Sequence, residues 1–213
     1  MQSTEKQRTD HTIMRAIFLD RDGVICKNRP DHVKNWAEFE FLPGVKCALV
    51  NLSQLGLPVV VVTNQGVINR GLASAAEVEE IHRQMTAELA AAGARIDRVY
   101  TCPHRPDEGC GCRKPQPGML LQAARELSID LAGSYLVGDA LTDLLAGSRV
   151  GCQTYLVLTG RGPGQLWPAF QALGGGFTIV RDLKDAVNHI LNSEQGIRFS
   201  LTHDTLSVST SFK

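Results

Sequence analysis

Three short apolar runs along the chain break off abruptly at a polar side chain. Ala16, Ile17, Phe18 and Leu19 lead into Asp20, residues 59–62 (four valines) lead into Thr63, and Tyr135, Leu136 and Val137 lead into Gly138 and Asp139. Apolar runs without alternation are the pattern of strands covered on both faces, as in a parallel sheet. Weaker runs of the same kind lie at 98–102, 154–158 and 177–180. Between them the apolar spacing predicts helices over 45–55, 74–92, 118–127, 141–148, 165–173 and 183–191. Ser74 and Glu77 stand at capping-box spacing at the start of the second helix, and Gly93 closes it. Strand and helix in alternation predict a doubly wound, Rossmann-like α/β sheet. Residues 1–14 read as a disordered leader and 15–192 as the domain. Residues 193–213, where Ser and Thr alternate with apolar side chains, read as an extended or disordered tail, with a hairpin as the alternative.

Bulk properties narrow the partners. The 213 residues carry 22 basic and 22 acidic side chains, a formal net charge of +0. Nucleic-acid and membrane-surface binders usually carry a basic excess, so neither partner is expected. No apolar run approaches the roughly 20 residues of a membrane span, and the N-terminus lacks the apolar core of a secretory signal. The expectation is a cytoplasmic monomer.

The chemistry gathers where the three runs end. In an open parallel sheet, ligands bind at the carboxyl edge of the strands, and there the sequence puts Asp20-Arg21-Asp22-Gly23, Thr63-Asn64-Gln65, and Gly138-Asp139 with Asp143 one helical turn on. Carboxylates at i and i+2 repel unless a cation or a proton lies between them. Mg²⁺ takes hard oxygen ligands, usually one or two carboxylates plus phosphate oxygens. Asp20 and Asp139 are the natural pair, with Asp22 contributing through its main-chain carbonyl and Asp143 one shell out. Asp20 is then placed to attack phosphorus, and Asp22 to act as general acid and base. Thr63 supplies a hydroxyl and Lys114 or Arg113 a cation for the phosphate, with Asp143 holding Lys114.

Three of the six cysteines crowd together with one histidine: Cys102, His104, Cys110 and Cys112. Three thiolates and an imidazole form a closed tetrahedral set for a structural Zn²⁺. The loop is rich in Gly and Pro and too short to bury itself, so a metal would fix its shape. Arg113 and Lys114 follow directly.

These four segments, DRDGV at 20–24, TN at 63–64, Lys114 and GDALTD at 138–143, resemble the motifs of the haloacid-dehalogenase-like (HAD) phosphatases over roughly residues 15–162. The segment CPHRPDEGCGCRKPQPGM resembles the zinc loop of two sister families, the heptose-1,7-bisphosphate phosphatases and the histidinol-phosphate phosphatases. TNQGVINRG and KPQPGM are closer to the heptose family, although Gly66 replaces its serine and Ala140 stands where a lysine is common. Between Gly23 and Val45 there is room only for a short loop, so no separate cap domain is expected. An open site of this kind suits a small phosphorylated metabolite as partner, which the resemblance makes a sugar bisphosphate losing its 7-phosphate. The resemblance also implies Arg21, Asn28, Asp31, His32, Asn64, Gln65, Gly66 and Arg113 as substrate contacts. The alternatives are a histidinol-phosphate or other sugar-phosphate phosphatase and, outside enzymes, a phosphate-receiving domain or a zinc-organised interaction module. A phosphate receiver would need an Asp after the second strand, where Thr63 stands.

Overall fold

The computed structural model describes the backbone of residues 14–208 and side chains as far as residue 196; the expected leader, apart from Met14, lies outside the described residues. Six parallel strands form one sheet in the order β3-β2-β1-β4-β5-β6. They are β1 (Ile17–Leu19), β2 (Val59–Asn64), β3 (Arg98–Cys102), β4 (Tyr135–Gly138), β5 (Gln153–Val157) and β6 (Thr178–Val180). β1 pairs with β2 on one side and β4 on the other, with Leu19 opposite both Val61 and Val137. The chain builds outward from β1 to β3, then returns to the opposite side for β4. The strand order therefore reverses beside β1, which is where such sheets open a crevice.

Six helices cover the two faces: α1 (Val45–Ser53), α2 (Ala75–Ala91), α3 (Gly118–Leu127), α4 (Leu141–Ser148), α5 (Gly162–Leu173) and α6 (Leu183–Val208). The pleat sends Ile17, Leu19, Val59 and Val61 towards Leu49 and Leu52 of α1, Met85 and Leu89 of α2, and Val187 and Ile190 of α6. It sends Phe18, Val60, Val62 and Leu136 the other way, onto Met119, Leu120 and Ala123 of α3 and Ala146 of α4. Double coverage is why the strands read as unbroken apolar runs. The capping box of α2 forms as its spacing predicts, Ser74 Oγ accepting from the Glu77 amide at 3.1 Å and Glu77 Oε2 accepting from the Ser74 amide at 2.7 Å.

Two elements differ from expectation. α5 starts at Gly162 rather than 165, with a proline in its first turn, a position where a missing N–H costs nothing. The larger difference is at the C-terminal end. The helix expected to stop at 191 continues to Val208, so the segment read as an extended or disordered tail is helical over 193–208. Its polar-apolar alternation suggested a strand. Glu194 anchors the first turn beyond 191, since its buried carboxylate takes a hydrogen bond from the Tyr135 hydroxyl at 2.6 Å and an ion pair from Arg15 at 2.8 Å. A long-range polar anchor of this kind leaves no periodic signal. No separate domain is inserted between β1 and α1, which are joined by residues 20–44 with one short 3-10 turn at Trp36–Glu38.

Replacing Glu194 with Leu removes both contacts and strands the Tyr135 hydroxyl. Hydrogen bonds to charged groups are worth about 1.5–3 kcal/mol, and a urea titration should show a loss of stability of that order. An unchanged midpoint would mean that the α6 extension is not anchored through this residue.

Candidate active site

A cleft of about 530 Å³ opens at the carboxyl edge of the sheet, beside β1 and β4. Its floor is a cluster of charge supplied by separate strand ends. Asp20 follows β1 and is 4% exposed; Asp139 follows β4 and is 0% exposed; Asp143 lies in the first turn of α4 at 1%. One carboxylate oxygen from each of these three lies within 4.8 Å of the others. Gly23 and Gly160 wrap over Asp139 with φ of +86° and +58°, and a Cβ on either would approach Asp139 Oδ2 to 2.2 or 2.3 Å. Only glycine fits at these two places. Thr159 at the end of β5 donates its hydroxyl to the Gly23 carbonyl, tying the two loops together.

Lys114 enters from the side. Its ammonium, 3% exposed as a residue, lies 2.9 Å from Asp20 Oδ1, 2.6 Å from Asp143 Oδ1 and 2.7 Å from the Val62 carbonyl. The ammonium thus donates to the Val62 carbonyl and forms ion pairs with the two carboxylates. Burial works against the charge, yet Asp143 and Asp20 outweigh it and hold the ammonium above its ordinary pKa. Asn64 fixes the lysine's backbone, accepting from its amide at 3.1 Å and donating to its carbonyl at 3.0 Å. Asn64 is thereby committed to the protein rather than free for a ligand.

Burial, with help from Asp143 and Asp22, raises Asp20 to about 6 against the opposing pull of Lys114. Asp139 is raised too, by burial and then by Asp20, with Arg161 opposing. Arg161 closes the cluster from α5's start, its Nη2 3.1 Å from Asp139 Oδ1 and its amide 2.8 Å from Oδ2. Three acids against two cations leave an excess negative charge in a buried place. That is the electrostatic setting for a divalent cation. Asp143 is held by Lys114 and by the Ala140 amide at 3.0 Å, whereas the side-chain partner of Asp139, Arg161, is half exposed.

Asp22 faces the cleft but its carboxylate turns away from that cluster. It accepts from Arg21 Nη2 at 3.0 and 2.9 Å, from Gln65 Nε2 at 2.7 Å and from the Cys26 thiol at 3.5 Å. Burial disfavours its charge, but Arg21 and Gln65 outweigh burial and lower its pKa. Gln65 Nε2 also donates to Thr63 Oγ at 2.7 Å. With that oxygen accepting, the Thr63 hydrogen is free to point into the cleft.

Several expected substrate contacts fall elsewhere. Arg21 is 0% exposed and lies behind Asp22; the sequence showed its charge but not that its long stem would pack inward. Gln65 is 2% exposed behind Thr63, and Gly66 packs against the His104 carbonyl and Arg113. Asp31 is on the surface, paired with Lys34 at 2.7 Å. None of these four lines the cleft, whereas Asn28, His32, Asn64 and Arg113 do. Unforeseen in the sequence are Arg29, Arg105, Gln116, Thr142 and Arg161. Single surface-type arginines give no signal until the fold turns them to one opening.

Next to the cleft, Cys102, His104, Cys110 and Cys112 bring their ligand atoms within 4.8 Å of one another. Cys112 Sγ lies 3.3 Å from Cys102 Sγ, 3.5 Å from Cys110 Sγ and 3.3 Å from His104 Nδ1. A tetrahedron with zinc–sulfur bonds of about 2.3 Å has edges of about 3.8 Å, so the set is nearly closed around one ion-sized centre. The His104 carbonyl of this loop accepts from Arg113 Nη1 at 2.8 Å.

Comparison with known proteins identifies the family. The HAD-hydrolase-like family model matches residues 111–186. D-glycero-beta-D-manno-heptose-1,7-bisphosphate 7-phosphatase of Bordetella bronchiseptica is 42% identical over 178 residues, 84% of this chain and 98% of the relative. The chain belongs to the HAD-type phosphatases. Within the family, the D-glycero-alpha-D-manno-heptose-1,7-bisphosphate 7-phosphatase of Mycobacterium tuberculosis is 46% identical over 131 residues, 61% of this chain and 69% of the relative. The crystal structure of the Bordetella D,D-heptose 1,7-bisphosphate phosphatase, complexed with magnesium and phosphate, superposes with a TM-score of 0.80 at 40% identity, covering 84% of this chain and 99% of that one. The HAD fold and the phosphatase class read from the motifs are thus borne out.

Proposed function

We propose that this phosphatase removes the 7-phosphate of D-glycero-D-manno-heptose 1,7-bisphosphate through a phosphoryl-aspartate on Asp20. The names of the Bordetella and Mycobacterium relatives support the substrate. The observation that carries the reading is the distribution of cations along one cleft. Lys114 is buried beside Asp20, and Arg113 and the half-exposed arginines at 29, 105 and 161 line the same cleft, the last three each also paired with a carboxylate. A substrate with a phosphate at each end meets positive charge at both.

The carboxylates of Asp20 and Asp139 and the main-chain carbonyl of Asp22 are the oxygens to hold Mg²⁺. Bound there, the ion supplies charge neutralisation between an anionic carboxylate and an anionic phosphate. Asp20 attacks phosphorus in line with the sugar oxygen, and the bond from phosphorus to that oxygen breaks as the bond from phosphorus to a carboxylate oxygen of Asp20 forms. Lys114 and the free Thr63 hydrogen bind phosphoryl oxygens. Asp22 gives its proton to the departing sugar oxygen and then takes one from the water that hydrolyses the acyl phosphate. Cys102, His104, Cys110 and Cys112 hold a structural Zn²⁺, which shapes the loop that delivers Arg113 and Lys114. Thiolates kept as metal ligands suit a reducing compartment, in keeping with a cytoplasmic enzyme.

Phosphate release with added Mg²⁺ should give the highest kcat/KM on the heptose bisphosphate, assayed as both anomers, against histidinol phosphate and sugar monophosphates. A clear preference for histidinol phosphate would reject the substrate. Asp20→Asn should abolish turnover and Asp22→Asn should lower it by about 10²–10⁴-fold; normal release by either variant contradicts the nucleophile and general-acid roles. Purified protein should carry one zinc per chain by atomic emission, and Cys112→Ser should lose both that zinc and thermal stability. Wild-type metal content in the variant would show that the cluster is not the zinc site.

A further inference from the structure

One buried titratable group next to the site has no part in the steps above. His82 lies on α2, 3% exposed, and its Nε2 is 3.2 Å from Arg21 Nη1. A guanidinium only donates and has no acceptor atom. Nε2 must therefore be bare and the ring proton must sit on Nδ1, which makes His82 a neutral acceptor. Its surroundings agree: burial, followed by the adjacent Arg21 charge, lowers its pKa to about 3. Arg21 itself is 0% exposed, and its guanidinium meets the His82 ring on one terminal nitrogen and the Asp22 carboxylate on the other.

We infer that His82 is a positioning residue for the general acid: its ring holds the Arg21 guanidinium, and Arg21 in turn fixes the Asp22 carboxylate where the leaving oxygen departs. This rests on the proposed role of Asp22 and adds to it the device that aims it. Both oxygens of Asp22 accept from the same Arg21 nitrogen, so a rotation of the guanidinium moves the carboxylate with it. The opposite terminal nitrogen is the natural place to stop that rotation. α2 is packed on the sheet through Met85 and Leu89 in the core, so the stop is built on a rigid element. Gln65 and Cys26 also reach Asp22, but each acts on one oxygen only.

An acid that protonates the leaving group matters most when that group leaves poorly. kcat/KM for a phosphatase of this kind reports the steps up to loss of the alcohol. His82→Leu should therefore lower kcat/KM on an alkyl ester such as a sugar phosphate at least tenfold more than on p-nitrophenyl phosphate, whose phenolate needs no proton. His82→Gln, which restores a neutral acceptor, should recover most of that difference. In an Asp22→Asn background, His82→Leu should add little. Equal losses on both esters, no recovery by Gln, or full additivity with Asp22→Asn would each overturn the inference. Should His82→Leu not fold, His82→Met against His82→Gln makes the same comparison. A wild-type protein that hydrolyses neither ester would reject the phosphatase reading itself, and this inference with it.

Discussion

The site depends on one buried ammonium. Lys114 Nζ sits between Asp20, Asp143 and the Val62 carbonyl, and without it two carboxylates would face each other in a nearly dry pocket. Removing one member of a buried ion group typically costs about 3–5 kcal/mol, because the partner is left charged and unpaired. Such a group is therefore retained for what it organises rather than for its net stability. Here it lets Asp20 remain a carboxylate beside two other acids, which is the state the proposed nucleophile needs. Asp139 is balanced separately by Arg161, at the more open end of the cluster.

Much of the surrounding chain serves to deliver that one side chain. Lys114 lies on neither a strand nor a helix, and a loop lysine would ordinarily be mobile. Asn64 grips its amide and carbonyl from the end of β2. The Cys/His cluster ends at Cys112, two residues before it, and ties back to β3 through Cys102. Gly118 at the start of α3 packs so closely on the Gly111 carbonyl that a Cβ would approach it to 2.2 Å. The loop is thus fixed at β2, at β3 and at α3. A catalytic cation on a loop is held as firmly as one on a strand when its backbone, and not only its side chain, is anchored.

What the sequence showed and what it hid divide along a physical line. Runs that end in Asp20, Thr63 and Asp139 were readable because burial on both faces forces unbroken apolar strands, and an abrupt polar residue marks the sheet edge. The cysteine spacing was readable because closed tetrahedral sets need short-range ligands. Arg21 was misjudged because an arginine beside two acids looks like a ligand contact, while its stem can also carry the charge inward to His82. Arg161 and Arg105 gave no signal, since their place in the cleft depends on β5 and the Cys/His loop meeting in space. Glu194 was hidden for the same reason, its partners Arg15 and Tyr135 lying 179 and 59 residues away.

The surroundings of Asp22 pose a question of timing. A general acid must start protonated, yet Arg21 and Gln65 favour its carboxylate. In the proposed mechanism the phosphate itself would resolve the conflict. A phosphate dianion docked between Lys114 and Thr63 brings negative charge up to Asp22, and nearby like charge raises a carboxyl's pKa. In the proposed mechanism, once the alcohol has left with the proton, Asp22 is again a carboxylate held by Arg21, the form that would draw a proton from water. The same fixed guanidinium thus suits the second step, while the substrate's own charge prepares the first. In the proposed mechanism, alternation between acid and base follows the arrival and departure of charge beside a carboxylate that Arg21 holds on both oxygens.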